Sequence, residues 1–213
     1  MGNSKYGLLA LAGLDGVGRK ALRRARKGGW TAGFSTWHVR EIQERLGVTN
    51  TIAEQIKGDF SLESGKEKYE WLTKRKIHLL AYNDAEYPAW LREIADPPEL
   101  LYAMGKLESL SMPAIALVGT RNPTVYGKNI ARQFGMELAK RKWAAISGLA
   151  RGIDGEAHRG AVEANGVTIA VLGCGIDQIY PKENEKLAEK NKRPGAPALG
   201  VRTGDSSAKR LLP

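Results

Sequence analysis

The sequence predicts an α/β fold, a parallel sheet with interleaved helices, preceded by a small all-helical domain. Three observations carry this prediction. Residues 114–118, 143–146 and 168–172 are short apolar runs, and each leads directly into polar sequence containing glycine. The segments between them have helical length and period. Residues 1–76 instead show the apolar spacing and capping residues of short helices. Apolar runs without alternation, separated by helices, mark parallel strands buried on both faces. Such sheets bind ligands at the carboxyl ends of their strands, where these glycines fall.

In chain order, residues 8–12 read as a short apolar helix, 13–18 as a glycine-rich hairpin and 19–27 as a second, strongly basic helix. Ser35 is placed to cap a helix through Leu46, with Gly47 to end it. Thr49 or Asn50 caps another through Lys57, and a third is expected over about 64–76. Trp37, Ile42, Leu46, Ile52, Ile56, Tyr69 and Leu72 are the expected core of this part. Residues 77–82 and 100–104 are candidate strands, with a short helix over 89–94 and turns enforced at Tyr87-Pro88 and Asp96-Pro97-Pro98. Helices are expected over 126–141, 153–164 and 182–190. Residues 191–213, rich in Gly, Pro and Ala, are expected to lack regular structure, leaving an unpaired sheet edge beside strand 168–172 or its neighbour. The domains are therefore 1–76, 77–190 and a tail of 191–213.

Composition narrows the function. No run is long and apolar enough to span a membrane, and one cysteine excludes an intramolecular disulfide framework, so the expected compartment is the cytoplasm. The net charge of +10 is local: residues 19–27 contribute +6 and the tail +4, while 28–113 carry −3 and 114–190 carry +3. Local basic patches fit a polyanion better than a uniformly basic protein does.

Glycines after a strand let the backbone turn sharply, and the next helix offers unpaired N–H groups to an anion. Arg121 and Arg151 follow two such strand ends and supply forked donors for phosphate oxygens. There is no G-x-G-x-x-G and no G-x-x-x-x-G-K-[ST], so neither a standard dinucleotide site nor a P-loop is indicated. The residues alone leave open that the glycines are tight βα turns and the arginines ordinary surface residues. Asp154, Glu156 and His158 lie close in sequence, but on a helix Glu156 points away from the face shared by the other two. Cys174, between glycines, reads as a small buried residue. Catalytic residues, metal ligands and cofactors are accordingly expected to be none.

Several of these stretches together resemble one family. Gly119-Thr-Arg-Asn-Pro-Thr-Val-Tyr-Gly127, Ser147-Gly-Leu-Ala-Arg-Gly-Ile-Asp154 with Ala157-His158, and Gly173-Cys-Gly-Ile-Asp177 with Tyr180-Pro181 and Asn184 are similar to the motifs of the DNA-processing protein A family (DprA, also called Smf). Tyr87-Pro88, Leu91, Asp96-Pro97-Pro98 and Leu101-Tyr102 to Gly105 resemble the lead-in to that family's Rossmann-like domain, so the likeness covers about 77–190.

The resemblance implies an incomplete Rossmann-like sheet and a protein that binds single-stranded DNA and helps load the RecA recombinase in natural transformation (competence) and DNA recombination. It implies DNA contacts at Gly119, Thr120, Arg121, Ser147, Gly148, Arg151, Gly152, Gly173 and Gly175. A second contact is expected at Gly16, Gly18, Lys20, Arg23 and Arg24, where helix, G-V-G and helix resemble a helix-hairpin-helix (SAM-like) element. A solvated basic helix face is the other reading of that patch. After residue 190 the chain departs from the family, as a truncated or frame-shifted product would. The absent part carries much of the family's DNA pocket, RecA-facing surface and homodimer contacts. A nucleotide-derivative enzyme or sensor of the lysine-decarboxylase-like (LOG) type is the alternative, but its Pro-Gly-Gly-x-Gly-Thr motif is missing.

Overall fold

The structure, a computed structural model, describes residues 2–173, 175–176, 179–190 and 198–203. They divide into two units, one of residues 2–84 with Glu93–Leu101, the other of Ala85–Arg92 with Tyr102–Arg202. The unit that holds the helices also takes in the first strand and Glu93–Leu101.

In the first unit, α1 (Gly2–Ala12) buries Leu8, Leu9 and Leu11. The hairpin turns at Gly16, whose φ is +75°, and α2 (Arg19–Gly28) then buries Ala21, Leu22 and Ala25, leaving Arg19, Lys20, Arg24 and Lys27 exposed and Arg23 and Arg26 half-buried. The helix expected to start after Ser35 starts later. Phe34–Thr36 forms a 3-10 turn, Trp37 is extended, and α3 (Val39–Leu46) follows His38. The cause is packing: Phe34 is fully buried, with the Trp37 and Phe60 rings edge-on at 5.0 and 4.8 Å.

Gly47 ends α3 as expected, in the left-handed region. Helix α4 (Asn50–Asp59) is capped by Thr49, and α5 (Leu62–Lys74) starts earlier than expected because Ser61 caps it, accepting from Ser64 N at 3.2 Å. Of the expected core, Ile42, Leu46, Ile56 and Leu72 are buried, whereas Trp37, Ile52 and Tyr69 are half-buried. Strand β1 (His78–Ala81) and the first residues of β2 (Leu100–Met104) complete the unit, and Tyr82 N donates to Glu99 O at 3.0 Å.

The second unit opens with α6 (Ala89–Arg92) and then alternates β3 (Ala114–Ala116), α7 (Val125–Lys140), β4 (Ala144–Ser147), α8 (Ile153–Glu163), β5 (Thr168–Val171), α9 (Glu185–Lys190) and β6 (Ala198–Thr203). Its strand order is β6-β5-β4-β3, parallel throughout, with Ala114 opposite Ala144, Ala145 opposite Thr168 and Ile169 opposite Leu199. This is a Rossmann-like arrangement. Helices α7 and α8 touch backbone to backbone. A Cβ on Gly135 would lie 2.1 Å from Ala157 O, and one on Gly160 would lie 1.9 Å from Arg132 O. That approach packs Leu138 and Ala161 with Ala145 and Leu117 over the sheet.

Two expectations are corrected here. Residues 198–203, assigned to a structureless tail, form β6, and its backbone continues the sheet beside β5. The rest of that tail and Cys174 lie outside the described residues. Strand β5 is consequently paired on both sides, by β4 and β6, and β3 ends the strand order. Strand β3 is exposed along its length, with Ile115 42% accessible, and Val118 just after it is 76% accessible, against the expectation of burial on both faces. As the last strand of the order it has one neighbouring strand among the described residues. No helix among the described residues is long and apolar enough to cross a membrane.

Candidate nucleic-acid interface

Parallel strands with right-handed crossovers bring their carboxyl ends to one side of the sheet, and the loops after β3 and β4 meet there. Ser147, 3% accessible, donates from Oγ to Leu117 O at 2.5 Å and ties the two strand ends together. Gly152 has φ +79° and ψ −128°. A Cβ there would lie 2.3 Å from Thr120 O, so glycine is required for the second loop to lie on the first. Ile153 N donates to Thr120 O at 3.2 Å across this junction. In the first loop Asn122 N donates to Thr120 Oγ1 at 3.2 Å, leaving Arg121 exposed at the turn. Thr124 then caps α7 by accepting from Gly127 N at 3.2 Å.

These loops and helix faces enclose an open polar cavity of about 560 Å³, lined by Arg121, Lys128, Arg151 and Arg159 together with Glu156, Glu183 and Asn184. Asn184, 1% accessible, fixes the floor. Its Nδ2 donates to Leu149 O at 2.9 Å and Ala150 O at 3.2 Å, and its Oδ1 accepts from Arg159 Nη2 at 3.0 Å. Arg159 also reaches Glu156 Oε1 at 2.6 Å, and Arg151 Nε pairs with Glu183 Oε1 at 3.2 Å. Among the described residues neither Arg121 nor Lys128 makes an ion pair. Four cations against two carboxylates give the cavity an excess of positive charge, which suits an anion.

Of the nine residues expected to contact DNA, three line this cavity: Arg121, Arg151 and Gly152. Gly119 and Thr120 shape the exposed first loop. Ser147 is buried, and Gly148 N donates to Asp154 Oδ2 at 3.1 Å, so these two position the loops and present no donor to a ligand. Gly173 is exposed and Gly175 buried, and neither lines the cavity. Sequence reasoning missed Lys128, Arg159 and Glu183, and singled out Asn184 only as part of a family motif. One signal existed for Arg159: Gly152, Gly155 or Glu156, and Arg159 recur at the three-to-four spacing of one helical face.

The pair Asp154 and His158 is structural. His158 is fully buried, with Nδ1 2.5 Å from Thr168 Oγ1. Thr168 gives its own hydroxyl proton to Ala145 O at 2.9 Å, so the imidazole carries its proton on Nδ1 and donates. Burial holds its pKa down to about 4, against the opposing pull of the Asp154 carboxylate and the Ser147 backbone. Among the described residues no group of three or more His, Cys, Asp or Glu is placed to hold a metal ion.

The second expected patch is split by the structure. Arg19, Arg23 and Arg26 are engaged within the first unit. Arg19 pairs with Asp96 at 2.9 Å, Arg23 with Asp96 and with Glu99 at 3.1 Å, and Arg26 with Glu99. The Arg23 guanidinium serves two carboxylates and Pro97 O in this structure. Gly16, Gly18, Lys20 and Arg24 remain exposed.

The sequence model of the family described as DNA recombination-mediator protein A matches residues 78–197. DNA processing protein DprA of Bacillus subtilis is 43% identical over 114 residues, covering 53% of this chain and 38% of the relative. Protein Smf of Synechocystis is 35% identical over 196 residues, covering 89% of this chain and 49% of the relative. The chain thus spans about half or less of the length of these relatives.

Among solved structures, DprA from Streptococcus pneumoniae superposes with a TM-score of 0.75 at 25% identity, over 99% of this chain and 71% of that one. DprA from Helicobacter pylori, solved to show its single-stranded DNA binding mode, superposes with a TM-score of 0.52 at 30% identity, over 62% and 57%. With more than half of its residues inside the family's sequence model, this chain belongs to the DNA recombination-mediator protein A (DprA/Smf) family.

Proposed function

We propose that the chain binds single-stranded DNA through the cavity at the carboxyl ends of β3 and β4, gripping the sugar-phosphate backbone without breaking bonds. The observation that carries this is the convergence of Arg121, Lys128, Arg151 and Arg159 on one polar cavity. Cations spaced around an open groove hold successive phosphates and read no base edges, so binding tolerates most sequences. The relative from Helicobacter pylori, with its single-stranded DNA binding mode, supports the choice of ligand. The family resemblance extends the proposal to a cytoplasmic role in DNA processing with RecA as partner.

The test is a titration of labelled single strand and duplex with wild type, Arg121→Ala and Lys140→Ala, the last an exposed residue at the far end of α7. Each arginine–phosphate bond contributes roughly 1.5–3 kcal/mol. Arg121→Ala should therefore weaken single-strand binding at least about tenfold, with Lys140→Ala unchanged. Equal affinity of wild type and Arg121→Ala removes the cavity as the site.

A further inference from the structure

The four cavity cations are not equivalent. Arg121 and Lys128 are unpaired among the described residues, and Arg159 is held internally by Glu156, whose side chain is 13% accessible. Arg151 differs from both kinds. Its Nε is paired at 3.2 Å with Glu183, and both side chains remain open to solvent, at 58% and 52% accessible. Glu183 is also held in place: it sits on the 3-10 turn Lys182–Asn184, and its neighbour Asn184 is bonded to the carbonyls of Leu149 and Ala150 just before Arg151. A carboxylate is fixed where it can engage the guanidinium edge that a phosphate would take.

We propose that Glu183 is a built-in phosphate mimic that occupies Arg151 in the unliganded protein and must be displaced by the nucleic-acid backbone. The inference rests on the proposed DNA-binding function and adds a specificity element to it. A weak or isolated anion does not displace Glu183, whereas a polyphosphate strand, held also by Arg121 and Lys128, does. Glu183 thereby lowers affinity for adventitious anions and sets the strand affinity below the maximum that the cations allow.

The experiment is an anisotropy titration of a labelled oligothymidylate at low and high salt with wild type, Glu183→Gln, Glu183→Ala, Arg151→Ala and the double variant Glu183→Gln/Arg151→Ala. Glu185→Gln serves as the charge control, since Glu185 is exposed nearby and does not line the cavity. Release of a solvent-exposed ion pair predicts a roughly two- to fivefold gain in affinity for both Glu183 variants. That gain should shrink at high salt, be smaller in Glu185→Gln, and vanish on the Arg151→Ala background. Wild-type binding with no gain in either Glu183 variant, or with weaker binding, overturns the inference and leaves the DNA site standing. An equal gain with and without Arg151 also overturns it, because the effect is then general electrostatics. Absence of binding in every variant removes the DNA site and this inference together.

Discussion

Replacing Glu99 by Gln should destabilise the first unit more than any surface charge change on α2. The Glu99 side chain is fully inaccessible, with Oε1 accepting from Arg23 Nε at 3.1 Å and Oε2 from Arg26 Nε. Neutralising it leaves Arg26, which is 13% accessible and faces the Tyr82 ring at 4.1 Å from the centroid, without a carboxylate partner among the described residues. Arg23 is better off, retaining Asp96 and Pro97 O. Removing one partner from a buried ion pair costs about 3–5 kcal/mol, and Arg23's remaining partners put this case near the lower end, about 3 kcal/mol. Arg24→Gln, on the exposed side of the same helix, should cost at most about 1 kcal/mol. Urea unfolding followed by amide exchange in α2 measures both. A loss below about 1 kcal/mol for Glu99→Gln, or an equal loss for Arg24→Gln, would refute the division of α2 into an engaged face and an open one.

Further outcomes follow from the site. Gly152→Ala, at φ +79° with a Cβ only 2.3 Å from Thr120 O, should cost roughly 1–3 kcal/mol and weaken DNA binding by parting the two loops, as read by melting and anisotropy. Thr124→Ala removes the α7 cap to Gly127 N and should cost about 1 kcal/mol in urea unfolding. His158 has a folded pKa of about 4, below its ordinary 6.5, so the unfolded state binds the proton first. Its contribution is fully present above about pH 6.5 and is lost as pH falls toward 4, a total of roughly 3 kcal/mol. An NMR titration should find this imidazole neutral at pH 5, and His158→Gln should flatten that part of the stability curve.

The strands were legible because buried parallel strands are written as apolar runs that stop at glycine, and each expected run in the second unit holds one. Caps were legible where a single hydroxyl decides, as at Thr49 and Thr124. At Ser35 a stronger demand, burial of Phe34 among aromatic rings, overrode the cap. The engagement of Arg23 was invisible because its carboxylates lie more than seventy residues away, separated by |i−j| of 73 and 76. The same non-locality hid Glu183 and the contacts of Asn184, which reach the β4 loop from beyond β5. Arg121 and Arg151 could be found because they directly follow strand ends, whereas Lys128 and Arg159 enter the cavity from helix faces. The exposure of β3 is a property of strand order, which three similar apolar runs do not specify.

The central claim is that a single strand lies across the β3 and β4 loops and not along α2. The most direct measurement is amide and arginine side-chain chemical-shift mapping during titration with oligothymidylate. The account predicts shifts concentrated at residues 119–123, 128, 151–156 and 159, with Arg121 and Arg151 side-chain signals moving most. Shifts confined to residues 16–27, with the two loops unperturbed, would contradict it.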